Sequence, residues 1–431
     1  MSPSLPARFP ILALLITLAL PAPAQALCQR GVYGVDQENF VVLGGASNAP
    51  AVGQRYLLRD GRRGNTGDTG SGLACEADVV TYKPPGGDEE RWPRRQTREA
   101  TTTFDSVATK LAGQLIEPAE PADPRRPLVV MVHGSEKTSP ISGVYAYMLA
   151  AQGVSVFVYD KRGTGASAGD YTQNFELLAD DAAAALAEAR RLATGRFGRA
   201  GFFGGSQGGW VAPLAATKVP ADFVAVGFGL VVSPIEEDRE QLLDEARELG
   251  LDKAAVAQVE RLSRATALLV RSHFATGYGE LAKVKASIGR APWAGKIKGE
   301  YSGDVLRTSE VDLRRIGRAR FDNVGLIWDY DAVAALKRLR APLLWVLAGE
   351  DREAPIAQTQ KALATLSKAG QRLDAYVFPN TDHGIVEFRT NPDGSRTSTR
   401  IADGYLKLLA DWIKGRVDGA NASYGNSVKL H

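Results

Sequence analysis

Ala200-Gly201-Phe202-Phe203-Gly204-Gly205-Ser206-Gln207-Gly208-Gly209-Trp210 is the stretch on which the reading of this chain turns. Ala200 to Phe203 has the apolar character of a short buried strand, and Gly209-Trp210-Val211 to Lys218 reads as a helix. Between them lies Gly204-x-Ser206-x-Gly208. A strand that turns straight into a helix forces a strained backbone, and small residues beside the serine let the two elements approach. Such a turn lifts the Ser206 hydroxyl above the sheet and aims a helix N-terminus at it. A bare Gly-x-Ser-x-Gly is weak evidence in a chain with 45 glycines. Its place between strand and helix makes Ser206 a candidate nucleophile rather than a residue of a plain turn.

The surroundings repeat the strand–helix alternation. Leu128 to Val132 and Val154 to Tyr159 are unbroken apolar runs, as expected of strands covered on both faces. A helical stretch lies near Gly143 to Gln152. Leu177 to Leu192 is Ala-rich, with acidic residues early and Arg190-Arg191 late, which suits the helix dipole. Further strands are read at Phe223 to Val232, Leu343 to Leu347 and Leu373 to Phe378, with a closing amphipathic helix over Ile401 to Lys414. The fold class is therefore α/β, with a doubly wound, mostly parallel sheet. About 105 residues, Ser233 to Arg338, separate two of its strands. Crossovers need far fewer, so this mainly helical stretch reads as a lid above the carboxyl edge of the sheet.

A serine hydroxyl needs a base to take its proton, and only four histidines are available. His431 is terminal, His273 sits on an apolar run in the insertion, and His133 ends a core strand in His133-Gly134-Ser135. His383 follows the last strand in Asp382-His383-Gly384, where a loop reaches the same sheet edge as Ser206, and it is the candidate general base. Its partner carboxylate is Asp351, two residues past Gly349 at a strand end, with Glu350 as the neighbouring alternative. The order Ser206, Asp351, His383 is that of nucleophile, acid and base in one class of serine hydrolases. For the oxyanion, the Gln207 N–H comes with the turn, and the Ser135 N–H is the second candidate donor. Asp160-Lys161-Arg162-Gly163-Thr164-Gly165 reads as a structural loop at the rim; no Lys-Ser/Thr pair follows, so nucleotide binding is not expected.

On His133-Gly134, the serine turn, Gly349-Glu350-Asp351 and His383-Gly384, residues 127 to 415 resemble the α/β-hydrolase fold. Tyr159 to Gly165 and the β segment ending at Leu111 to Pro118 resemble bacterial esterases and prolyl-oligopeptidase or serine-aminopeptidase-like hydrolases that carry an N-terminal β extension. The resemblance implies the triad and oxyanion roles above. It leaves the substrate open, because these relatives differ mainly in their lids, and the chain is too short to hold a full seven-bladed propeller.

Before this region, residues 1–26 read as a secretory signal: Arg8, an apolar run from Ile11 to Leu20, and Ala24-Gln25-Ala26 as the cleavage site. The run is well short of the roughly 20 residues of a membrane span, and Leu27 is too bulky to precede a lipidated Cys28. Residues 27–125 read as a β-rich extension and 126–431 as the hydrolase domain, with the insertion over about 233–338. Cys28 and Cys75, the only cysteines, are expected to pair in an oxidising compartment, closing a loop worth roughly 3–4 kcal/mol. With 52 Lys+Arg against 49 Asp+Glu, the net charge of +3 implies no nucleic-acid partner. The expected function is an exported hydrolase of a small-molecule ester, using no metal or organic cofactor and making no stable membrane insertion. A peptidase or amidase acting on a short peptide is the alternative, and an inactive binding protein on the same scaffold is the reading from another class.

Overall fold

Leu128-Val129-Val130-Met131-Val132 offers no polar face, and it forms β10 (Pro127–Val132), buried along nearly its whole length. Its neighbours are alike: β11 (Ser155–Tyr159), β12 (Arg199–Gly205), β13 (Val224–Gly227) and β14 (Leu343–Ala348) are buried almost throughout. With β15 (Leu373–Phe378) they form the parallel centre of a nine-stranded sheet, in the order β11-β10-β12-β13-β14-β15. In this computed structural model the described residues are 28–46, 53–119, 123–141, 143–417 and 423–430. The signal read over 1–26 and His431 lie outside them.

Helices cover both faces, as parallel strands require. On one side lie α2 (Phe175–Leu192), α3 (Gly208–Lys218), α9 (Ala332–Arg338) and α10 (Ala357–Lys368); on the other, α1 (Val144–Ala151) and α11 (Tyr405–Ile413). The α2 helix starts where Asn174 accepts the Leu177 N–H at 3.1 Å and ends in Arg190-Arg191, so cap and dipole act together.

The N-terminal extension is a seven-stranded sheet of β1 (Gly31–Gly34), β2 (Phe40–Ala46), β3 (Gln54–Leu58), β4 (Arg63–Asn65), β5 (Leu73–Glu76), β6 (Val79–Tyr82) and β7 (Glu90–Arg95). Its Val32, Phe40, Val42 and Leu57 join the α1/α11 face of the large sheet in one continuous core. The strand pair read from the sequence as the end of this extension belongs elsewhere. Strands β8 (Thr97–Ser106) and β9 (Thr109–Pro118) form a hairpin that pairs antiparallel with β11 at the edge of the large sheet. Cys28 and Cys75 are joined in a disulfide, their Cα atoms 5.4 Å apart. Replacing both with alanine is expected to cost roughly 3–4 kcal/mol of stability in this sheet. A urea melt would show it, and a midpoint equal to that of the parent would refute the estimate.

The insertion is helical: α4 (Pro234–Glu248), α5 (Lys253–Arg271), α6 (Tyr278–Ile288), α7 (Ser302–Arg307) and α8 (Glu310–Phe321) share a core of their own around Leu242, Leu262, Leu269 and Leu313. Buried Asp238 on α4 accepts the N–H groups of Tyr301 and Ser302 at 2.9 and 3.0 Å, tying the first helix to α7. Helix α9, read from the sequence as the end of this insertion, instead packs in the main core beside α3. Beyond β15 the chain forms β16 (Thr381–Asp382), β17 (Val386–Thr390) and β18 (Arg396–Ile401), a small antiparallel sheet absent from the sequence expectation; β18 takes the start of the stretch read as the closing helix. Strand β19 (Val428–Lys429) pairs antiparallel with β15. Among the described residues no helix is long and apolar enough to cross a membrane.

Candidate active site

The turn between β12 and α3 holds Ser206 at φ 52°, a left-handed backbone that an L residue adopts only when its surroundings enforce it. The enforcement is visible at the flanking glycines. A Cβ on Gly204 would meet the Gly208 carbonyl oxygen at 2.1 Å, and one on Gly208 would meet that of Val132 at 2.3 Å. Strand and helix can pass this closely only without side chains. The Ser206 N–H donates to the Gly227 carbonyl at 3.1 Å, fixing the turn against β13.

His383 leaves β16 and brings Nε2 to 3.1 Å from Ser206 Oγ. Its Nδ1 lies 3.0 and 3.2 Å from the two oxygens of Asp351, which follows β14. The Asp351 carboxylate is 1% exposed, and its Oδ1 also accepts the N–H groups of Glu353 and Ala354 at 3.0 and 2.8 Å. Burial pulls the His383 pKa down, but the hydrogen bond and charge of Asp351, with the charges of Glu353 and Asp382, outweigh it and hold the imidazole above its ordinary value. The Phe228 ring meets the imidazole edge-on, with centroids 5.1 Å apart.

Ser206, Asp351 and His383, some 177 residues apart at the extremes, therefore converge at the carboxyl edge of the sheet. Glu350 does not join them: it pairs with Arg396 of β18 at 2.9 Å. His133 is half-buried at the end of β10, its Nδ1 3.3 Å from Glu136, and His273 lies on the insertion, bound to Asp322 at 2.8 Å. Ser135 and Gln207 border the same cavity as Ser206. A Cβ on Gly134 would come within 3.2 Å of Ser206 Cβ, so the backbone leading into Ser135 lies directly against the hydroxyl-bearing residue.

The cavity, about 230 Å³, runs from Ser206 beneath the insertion. Trp210, Phe228, Leu230 and Trp328 make its apolar wall, and three carboxylates, Glu237, Glu300 and Glu353, face into it. Burial, with the charges of Glu300 and Glu353 adding to it, pushes Glu237 well above the usual carboxylate range. Glu353 Oε1 is 3.7 Å from His383 Nε2. None of the three stands out in the sequence: Glu237 lies in an ordinary charged run, and Glu300 and Glu353 sit in segments with no local pattern. Behind His383, Asp382 accepts the His383 and Arg352 N–H groups and pairs with Arg396 at 2.8 Å, so the small sheet braces the imidazole loop. Asp160 closes its own loop by accepting the Ala166 N–H at 2.7 Å, and Arg162 is paired with buried Asp181, as befits a structural rim.

Two family models match complementary parts of this architecture. Residues 123–251, which contain Ser135, Ser206 and Gln207, match the serine aminopeptidase family S33, and residues 317–408, which contain Asp351 and His383, match the prolyl oligopeptidase family. The chain is a hydrolase of the α/β-hydrolase fold. Solved structures similar to the hydrolase include an esterase of Pyrococcus furiosus, 12% identical over 75% of this chain and 92% of that one, with a TM-score of 0.45. A proline iminopeptidase of Mycobacterium smegmatis is 18% identical over 74% and 98%, with a TM-score of 0.43. An acylaminoacyl peptidase of Pyrococcus horikoshii is 14% identical over 92% and 57%, with a TM-score of 0.45. No curated protein matches the sequence.

Proposed function

We propose that the hydrolase is an exported serine esterase that cleaves carboxylic esters through an acyl-enzyme on Ser206. The observation that carries this reading is the continuous contact from Ser206 Oγ through His383 to Asp351. Ser206 Oγ attacks the acyl carbon while His383 Nε2 takes its proton, and the negative charge moves to the carbonyl oxygen, held by the Gln207 and Ser135 N–H groups. Collapse expels the alkoxide, which receives the proton from His383. Water then attacks the acyl-enzyme, gives its proton to His383, and the acid leaves as Ser206 regains a proton. Asp351 holds the imidazole with Nδ1 protonated and stabilises the imidazolium between these transfers. The signal read over residues 1–26 and the Cys28–Cys75 bridge support export.

One observation favours a second reading with the same chemistry. Glu237, Glu300 and Glu353 give the cavity an acidic wall suited to a substrate ammonium, as in an amide or peptide with a free amino terminus. Assaying p-nitrophenyl butyrate beside an aminoacyl-naphthylamide separates the two. The ester is expected to show the higher kcat/KM, and a clear preference for the aminoacyl-naphthylamide would replace the esterase reading with the amide-cleaving one.

A further inference from the structure

We propose that Lys161 is a positioning residue for the oxyanion hole: by holding the Gly134 carbonyl, its ammonium aims the Ser135 N–H at the oxygen of the substrate carbonyl. The inference rests on the reading that Ser206 is the nucleophile and Ser135 an oxyanion donor. Lys161 follows β11 at the sheet edge, is 3% exposed, and places Nζ 2.5 Å from Gly134 O. That oxygen and the Ser135 N–H belong to one planar trans peptide unit and point in opposite directions. Fixing the carbonyl on the side of β11 therefore fixes the N–H on the other, toward the cavity that Ser135 and Ser206 share.

The next peptide unit is held as well. Tyr171 Oη donates to the Ser135 carbonyl at 2.5 Å, and Gln173 Nε2 donates to Tyr171 Oη at 2.9 Å. Lys161 Nζ lies 5.0 Å from the Tyr171 ring centroid, and Lys137 Nζ lies 4.5 Å from it. Both carbonyls flanking the Ser135 Cα are thus occupied by side chains from the loop after β11. Within the local sequence only the His133–Glu136 contact would otherwise restrain this segment, and Gly134 between them has wide backbone freedom. Filling the space under the loop would take only an apolar side chain, whereas a buried ammonium carries a desolvation cost. Burial pushes Lys161 down to about 8, with the Glu136 charge opposing. Preorganised donors lose their advantage when they must be reoriented during the reaction, and the clamp removes that reorientation.

The test compares Lys161→Met, Lys161→Arg and Tyr171→Phe with the parent, using p-nitrophenyl butyrate as substrate and phenylboronic acid as a mimic of the tetrahedral intermediate. Loosening a donor is expected to cost less than deleting one, so Lys161→Met should lower kcat by about 10- to 100-fold. KM should stay within about twofold, as for an interaction expressed only in the transition state, and boronate affinity should fall in step with kcat. Lys161→Arg should recover most of the lost rate, and Tyr171→Phe should lose about threefold. Parental kcat in Lys161→Met, or a loss confined to KM or to melting temperature, overturns the proposal. Should Lys161→Met fail to fold by circular dichroism, Tyr171→Phe decides, and parental kcat there overturns it. Fluorophosphonate labelling that disappears in Ser206→Ala shows that the nucleophile reading holds; labelling that persists there means that reading has failed, separately from the clamp.

Discussion

Ser206→Ala is expected to lower kcat on p-nitrophenyl butyrate by about 10⁴- to 10⁶-fold, the range over which triad nucleophiles act, and to abolish labelling by a fluorophosphonate. The substitution removes a single oxygen, the one 3.1 Å from His383 Nε2. It leaves the turn intact, because alanine and serine meet the same steric penalty at φ 52° and the packing that enforces it comes from Gly204 and Gly208. Loss of rate should therefore come with an unchanged melting temperature. Residual binding of the boronate probe should also drop, since no hydroxyl remains to form the adduct. Activity within tenfold of the parent would remove Ser206 from the chemistry. A parent protein that neither turns over esters nor labels would favour an inactive binding protein on this scaffold.

Local constraints explain which parts of the molecule could be read in advance. The turn at Ser206 was legible because its strain is met within five residues, and the central strands because burial on both faces leaves no polar position. Asp351 and His383 could be placed at the same sheet edge because parallel strands all end there. The hairpin of β8 and β9 reads in the sequence as part of the extension because an antiparallel pair looks the same whichever sheet it joins. Only its pairing with Val156 to Tyr159 of β11 decides the matter. The small sheet of β16 to β18 was missed because its strands are short and partly exposed, and Thr381–Asp382 is only two residues long. The clamp of Lys161 and Tyr171 and the meeting of Glu237, Glu300 and Glu353 are products of tertiary convergence. Each residue alone looks like an ordinary charged or aromatic surface position, and no spacing links them.

Asp351→Asn should show how far the environment of the carboxylate, and not its bulk, sets the rate. Asp351 Oδ1 accepts two backbone N–H groups, from Glu353 and Ala354, while Oδ2 lies nearest His383 Nδ1 at 3.0 Å. An asparagine must keep its carbonyl oxygen toward those two amides, because turning it would set NH₂ against N–H donors and leave them buried without acceptors. Its NH₂ then faces Nδ1, which must accept, and the imidazole proton moves to Nε2. In that tautomer Nε2 has no lone pair to take the Ser206 proton, and kcat is expected to fall by about 10⁴-fold. The pH profile should change as well. His383 acts as base only when neutral, and its raised pKa puts the acid limb of kcat/KM in the parent above the ordinary imidazole value of 6.5. With the Asp351 hydrogen bond and charge removed, burial gains weight over the remaining charges of Glu353 and Asp382, and the limb should move to lower pH. An Asp351→Asn enzyme within tenfold of the parental kcat, or one whose acid limb stays in place, would mean that another group orients His383. Glu353, with Oε1 3.7 Å from Nε2, approaches the wrong nitrogen for that task.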